Sequence, residues 1–233
     1  MSNAVYLCPS LTGDVVVLGG PEGRHAATVR RTRVGEVVDL VDGRGTRCTG
    51  AVTATTKDSL TVAVSSRTTE TPPSPRITLV QALAKGDRGE LAVELATEVG
   101  VDEVVPWSAA RCVTRWDGER GAKGLERWRA TAREAAKQSR RAWFPEVREP
   151  LTTAQVAALP GTLLVLHESA SVPLSSVAVE GDVVLVVGPE GGITDAELDQ
   201  LGGTAVRLGP SVLRTSTAGA AAIAVLSTRL GRW

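Results

Sequence analysis

Two short stretches leave this chain few folds to choose from. Leu163–His167 (LLVLH) and Val183–Val187 (VVLVV) are almost wholly apolar, with no polar residue at alternate positions. A strand with one solvated face alternates apolar and polar residues. A strand covered on both faces does not, and continuous apolar runs of this length mark a parallel sheet wrapped by helices. The surrounding sequence agrees. Ile77–Ala82, Glu103–Trp107 and Val206–Leu208 read as strands. Asp87–Val99, Leu125–Arg141, Thr194–Leu201 and Ser216–Leu230 read as helices, Leu125–Arg141 with Arg and Lys on its outer face. Alternation of this kind predicts an α/β layer fold with right-handed crossovers.

The first 70 residues follow a different rule. Val15–Leu18, Val37–Val41, Cys48–Thr55 and Leu60–Val64 are short β-branched segments, with Asp42-Gly43-Arg44-Gly45 as a strong turn and a short helix expected around His25–Arg31. Strands at this spacing predict a small β-barrel. Thr71-Pro72-Pro73-Ser74-Pro75 can continue neither a helix nor a central strand, which sets a boundary between residues 1–72 and 73–233.

Composition removes several functional classes. The three cysteines (Cys8, Cys48, Cys112) stand far apart, and only His25 and His167 are available, so no metal is expected and a reduced, cytoplasmic protein is. No stretch approaches the roughly 20 apolar residues of a membrane span, and the first ten residues lack the pattern of a secretory signal. Net charge is zero, yet Arg111–Arg148 holds eleven Arg or Lys against five Asp or Glu. That local excess is either a solvated helix face or a footprint for phosphates.

Chemistry concentrates in loops that follow strands. Gly188-Pro189-Glu190-Gly191-Gly192 follows the second apolar run, and in open α/β sheets ligands bind outside the carboxyl ends of strands. Read alone, the loop is either a tight turn or a backbone cradle. It is neither G-x-G-x-x-G nor a P-loop, which disfavours a nicotinamide oxidoreductase. Thr194 and Glu197 have the spacing of a capping box. A second loop, Leu208–Thr217, places Arg214 just before a helix with Thr215 or Ser216 as its cap. A cation there is either snorkelling or ready to bind an anion at the helix N-terminus. The small residues Ala218–Ala222 permit close packing or merely favour helix. Glu168 at a strand end, His25 among Arg24, Arg30, Arg31 and Arg33, and Arg111 and Arg115 beyond the strand ending at Trp107 are further candidates.

Five segments taken in order resemble a known family: Arg24–Gly45, Gln81–Val113, Trp128–Val147, Val184–Gly192 (VLVVGPEGG) and Leu208–Ala218 (LGPSVLRTSTA). Over nearly its whole length the chain is similar to the SPOUT-superfamily 16S ribosomal RNA uridine-N3 methyltransferases. The resemblance implies an N-terminal PUA-like RNA-binding β-barrel and a C-terminal SPOUT α/β domain. It further implies a deep trefoil knot, with knot and cofactor site at about 163–225, and a homodimer. S-adenosyl-L-methionine would be held by Leu166, His167, Glu168, Gly188, Pro189, Glu190, Gly191, Gly192, Leu208, Gly209, Leu213 and Thr215. Arg214 would be catalytic. RNA of the small ribosomal subunit would be held by Arg24, His25, Arg30, Arg31, Arg111, Arg115 and Arg140. Relatives often carry an Arg very near the N-terminus, where this chain reads Ser2-Asn3-Ala4-Val5-Tyr6. Alternatives are a SPOUT enzyme acting on transfer RNA or a ribose 2′-hydroxyl, and a non-catalytic ribosome-assembly factor.

Overall fold

A computed structural model describes residues 3–233; Met1 and Ser2 lie outside the described residues, so the departure at the N-terminus is visible only from Asn3 onward. The chain separates into two compact units. One comprises the residues up to Pro72 together with Ala136–Phe144, the other Pro73–Ala135 together with Pro145–Trp233.

In the first unit, β1 (Ala4–Leu7), β2 (Val15–Leu18), β3 (Val37–Val41), β4 (Thr46–Thr55) and β5 (Leu60–Thr69) form one sheet in the order β1-β3-β4-β5-β2. Only β1 and β3 run parallel. Strand β2 shows one-sided burial: Val16 and Leu18 are buried, while Val15 and Val17 are 58% and 61% exposed. Register shifts at Thr49/Gly50 and Val52/Ala54 bend the long β4–β5 ribbon, because an extra residue on one strand increases local twist. The curled sheet closes around Tyr6, Leu18, Leu40, Cys48, Leu60 and Val62. Strand β1 is not among the expected strands, because Ala4-Val5-Tyr6-Leu7 lacks the run of valines that marks the equally short β2.

The helix expected at His25–Arg31 starts earlier. Helix α1 (Gly20–Arg24) has Pro21 in its first turn, where the missing N–H is not needed, and continues into a π-helical turn at His25–Val29. Its end is closed by Thr32 N–H donating to the Ala26 carbonyl, with Arg31 at φ 56°. That is the left-handed position after a helix which glycine usually occupies.

The second unit contains β6 (Ile77–Ala82), α2 (Arg88–Glu98), β7 (Glu103–Trp107), α3 (Gly118–Gln138), β8 (Glu146–Val147) and α4 (Thr153–Ala157). It continues with β9 (Thr162–Leu166), β10 (Val172–Pro173), β11 (Val183–Val187), α5 (Asp195–Leu201), β12 (Thr204–Arg207) and α6 (Thr215–Arg229). Its sheet has the order β10-β12-β9-β11-β6-β7-β8 and is parallel throughout. All five residues of β11 are buried, as its unbroken apolar run requires. A buried fork anchors the end of the chain: Arg232 donates to Asp102 at 2.6 and 3.0 Å, and Asp102 also accepts from Ile77 N–H.

Helix α3 begins seven residues before the expected Leu125. Its first turns hold Gly118, Gly121 and Gly124, poor helix formers that hide it from a propensity reading. Gly121 and Gly124 are small because Trp116 lies against them; a Cβ on either would stand 2.7 Å from its atoms. The expectation that α3 carries its basic residues outward fails at Lys137. That side chain belongs to the first unit, is 8% exposed, and pairs with Glu22 at 2.7 Å. Arg140 follows the helix at φ 56°, a second left-handed helix end.

Candidate functional site

In a parallel sheet every strand ends on the same side, so the loops that follow them converge. Ladder registers fix the level of each end. Val206 pairs with Leu166, Leu166 with Val187, Val187 with Gln81, and Gln81 with Pro106. From this one row leave His167–Ala170, Gly188–Ile193, Leu208–Arg214, Leu83–Asp87 and Ser108–Asp117. The structure therefore brings together all the expected cofactor-binding residues, with Arg214, Arg111 and Arg115, at a single sheet edge. Arg24, His25, Arg30, Arg31 and Arg140 belong to the first unit.

The glycine-rich loop has a local rationale as well as a possible ligand. A Cβ on Gly188 would meet Ile193 Cγ1 at 2.6 Å, and one on Gly191 would meet Arg111 Cβ at 3.1 Å. Gly192 stands at φ 76°, which a turn residue with a side chain rarely adopts. The room these glycines give up is thus used by the protein itself. Gly209 differs: nothing lies within 4 Å of where its Cβ would be, so backbone there is open to a ligand.

Thr215 does not cap α6. The N-cap is Arg214, whose backbone is extended and whose side chain makes no capping bond. Thr215, 7% exposed, donates its hydroxyl to the Gly188 carbonyl at 2.8 Å and accepts from Gln81 Nε2 at 3.0 Å. This relay ties the start of α6 to the end of β11. Gln81 is fully buried, and its Oε1 has no hydrogen-bond partner among the described residues. Sequence reasoning missed Gln81; its signal is one amide inside an otherwise apolar central strand, where a polar group needs a reason.

Further links hold the loops in place. Glu190 accepts from Lys85 N–H at 3.3 Å and from Arg88 Nη1 at 3.2 Å, so it orients backbone. Arg111 donates to the Gly191 carbonyl at 3.0 Å, and Arg115 to the carbonyls of Ala109 and Ala110. Both arginines brace loops as well as facing solvent. Glu197 completes the expected capping box with Thr194 and accepts from Ala110 N–H at 2.7 Å. Burial pushes its carboxyl up, but the N–H groups of Ala110 and Thr194 outweigh it and hold the carboxyl below its ordinary value. Burial raises the thiols of Cys8 and Cys112, so neither is an activated nucleophile.

The side of the row formed by β9, β11 and β12 is amphipathic. Leu166 and Leu208 are half-buried, Val212 and Leu213 are 77% and 41% exposed, and Glu168 and Arg214 reach solvent. His167 Nδ1 is held by Ser169 Oγ at 2.8 Å, and the His167 N–H donates to the Val206 carbonyl. Half-covered apolar walls, open backbone at Gly209 and a guanidinium at Arg214 with no ion-pair partner among the described residues suit a small organic molecule with both apolar and charged parts. Among the described residues no group of three or more His, Cys, Asp or Glu is placed to hold a metal ion, and no helix is long and apolar enough to cross a membrane.

Comparison with known proteins puts chemistry on this arrangement. A family model described as an RNA methyltransferase domain matches residues 71–227, and an RNA methyltransferase PUA domain matches residues 18–65. Ribosomal RNA small subunit methyltransferase E of Mycobacterium bovis is 48% identical, the match covering 95% of this chain and 89% of that protein. Its namesake from Bacillus subtilis is 30% identical over 89% of this chain and 88% of its own. The crystal structure of ribosomal RNA small subunit methyltransferase E from Neisseria gonorrhoeae bound to S-adenosyl methionine superposes with a TM-score of 0.88 at 30% identity, covering 98% of each chain.

Proposed function

The chain belongs to the RNA methyltransferase family that includes ribosomal RNA small subunit methyltransferase E, and on that premise we propose that it methylates N3 of one uridine in 16S ribosomal RNA. The observation that carries the reading is the row of strand ends, which gathers the glycine-rich loop, the Leu208–Arg214 loop and His167–Glu168 at one edge. S-adenosylmethionine fits that edge and supplies an electrophilic methyl group when bound. Leu166, Leu208 and Leu213 would wall it. Backbone of Gly188–Gly192 and of Leu208 and Gly209 would meet its polar groups, with His167, Glu168 and Thr215 completing the set. Beneath this edge lies the buried Gln81 Oε1, an acceptor with no hydrogen-bond partner among the described residues.

The protein's task is then to position and to stabilise charge. Uridine N3 carries a proton and becomes nucleophilic only as the ring turns anionic. A cation near O2 or O4 favours that anion. Arg214 is suited to this, because it is exposed, makes no ion pair among the described residues, and stands at the N-terminus of a 15-residue helix whose dipole acts in the same sense. Holding the acceptor in line contributes up to roughly 7–11 kcal/mol in favourable cases. Glu190, engaged by Lys85 and Arg88, keeps its orienting role.

Residues 1–72 act in this reading as a PUA-like RNA-binding domain and 73–233 as the methyltransferase domain. Arg24, His25, Arg30, Arg31 and Arg140, with Arg111 and Arg115, hold RNA flanking the target by its backbone and shape. N3 lies on the pairing edge, so the uridine must be unpaired or extruded when it reacts. A trefoil knot at about 163–225, a homodimer and a cytoplasmic location belong to the same proposal. The small start of α6 supports close packing there: Gly219 lies against Leu79 and Val187, where a Cβ would meet Leu79 at 3.1 Å.

The test uses small ribosomal subunits from a strain lacking its own uridine-N3 methyltransferase, incubated with this protein and methyl-labelled S-adenosylmethionine. Label recovered as 3-methyluridine at one 16S position is the expected result. Label in transfer RNA or on ribose would redirect the substrate, and no label on any RNA would favour an assembly factor.

A further inference from the structure

On the β6 and β7 side of the glycine-rich loop lies a cavity of about 210 Å³ that the cofactor site does not use. We propose that it receives an unpaired keto nucleobase, uracil or guanine, from the RNA strand next to the methylated nucleotide. The proposal rests on the reading of the chain as an RNA methyltransferase. The volume falls below the roughly 300 Å³ at which sites for drug-sized ligands begin, and suits a single base.

The lining has the chemistry of a base. Leu83 and Trp128 are 1% and 2% exposed and Trp116 is half-buried; the two indoles meet edge to face, with centroids 5.0 Å apart at 74°. Of the two rings only Trp116 keeps substantial accessible surface, and single-stranded RNA is read by stacking on such a ring and by hydrogen bonds to base edges. Neither the Trp116 nor the Trp128 N–H makes a hydrogen bond among the described residues, and neither is a fully enclosed atom, so each keeps a donor to offer. Glu90 and Arg127 stand together at the wall, joined Nε to Oε1 at 2.9 Å. That pair offers an acceptor beside spare guanidinium N–H donors. Uracil presents N3–H beside a carbonyl and guanine N1–H beside O6, the complementary arrangement. Arg120, exposed and without an ion-pair partner among the described residues, is a phosphate contact at the rim.

Position favours a neighbour of the target over the target itself. The loop after β6 supplies Leu83, Ala84 and Gly86 to the cavity and also carries Lys85, whose N–H is held by Glu190 of the glycine-rich loop. The Thr114 hydroxyl donates to the Ala84 carbonyl at 3.0 Å and fixes the opposite wall. The glycine-rich loop thus stands between this cavity and the loops that follow β9 and β12, so a strand whose target base lies on one side can lodge an adjacent base on the other.

Small ribosomal subunits carrying 4-thiouridine, and a second preparation carrying 6-thioguanosine, would be irradiated with the wild-type protein and the cross-linked peptides identified by mass. Cross-links from either probe to residues 83–90 or 114–128 are expected; cross-links from both confined to other peptides would overturn the proposal. As a second measurement, Glu90→Gln removes the charge but keeps the shape, and its ion pair with a 63% exposed Arg127 matters little to folding. It should raise the KM for subunits about tenfold while leaving the affinity for S-adenosylmethionine unchanged. An unchanged KM in this variant would overturn the cavity reading alone. A wild-type chain that neither binds S-adenosylmethionine nor labels RNA would instead overturn the methyltransferase reading beneath it.

Discussion

The curled sheet of the first unit and the parallel sheet of the second are built from similar Val-rich strands, yet they arrange their loops in opposite ways. In the antiparallel β3-β4-β5-β2 run, successive connections fall at alternate ends of the sheet. Its candidate RNA residues accordingly sit on one helix and its left-handed end, at Arg24–Arg31, and at the similar turn of Arg140. In the parallel sheet every connection leaves a strand at the same end, and five loops converge on one row. Topology thus decides which unit can build a precise site and which can offer only a surface.

Substitutions in the two units test that division. The largest effect is expected for Arg214→Ala, which should lower kcat by about 10²–10³. Affinity for S-adenosylmethionine should stay near normal, as read by single-turnover methylation and calorimetry. Near-normal turnover would remove the electrostatic role of Arg214. Next comes Glu22→Ala in the first unit. It removes a charge-assisted hydrogen bond from Lys137, a cation 8% exposed, and should cost about 2–3 kcal/mol of stability, the usual range for a bond between charged groups. The melting temperature should fall while cofactor binding by the folded protein persists. Loss of both together would break the functional separation of the units.

Thr215→Val takes the hydroxyl from between Gly188 and Gln81. The Gly188 carbonyl loses its side-chain partner and the buried Gln81 amide keeps only its 3.3 Å bond to the Ala82 carbonyl, so about 2 kcal/mol should be lost, visible as weaker cofactor binding and a lower urea midpoint. Unchanged binding would mean that the relay supports the fold alone. The smallest effect belongs to Glu197→Gln, about 1 kcal/mol at neutral pH. The folded carboxyl is held below its ordinary value by the Ala110 and Thr194 N–H groups, against burial. Its contribution is therefore fully present above the unfolded pKa of about 4.3 and is lost as pH falls through the folded value. Melting curves of the two proteins should converge on acidification; a gap independent of pH would contradict this assignment.

Much of the second unit was legible because its information is local. The apolar runs ending at Leu166 and Val187 required a doubly covered sheet, and the Thr194/Glu197 spacing announced a helix start that the structure contains. Boundaries slipped where local propensity misleads. The first turns of α3 are rich in glycine because Trp116 fills the space beside them. The two-residue strands β8 and β10 exist only as partners of longer neighbours. Within the site, the glycine-rich loop and Arg214 were visible as residues following a strand and preceding a helix, whereas Gln81 was hidden among apolar neighbours.

The sequence by itself determined the alternation of strands and helices, the change of pattern at Thr71–Pro75, and the order in which chemically capable loops follow their strands. Those properties depend on side-chain periodicity and turn chemistry within a few residues. Only the tertiary structure decided that Val206, Leu166, Val187, Gln81 and Pro106 share one level. It also turned Lys137 inward to Glu22, 115 positions away, and made Thr215 a tie to Gly188 rather than a helix cap. Each of these joins segments far apart in the chain, where register and packing fix the partner and no local pattern can name it.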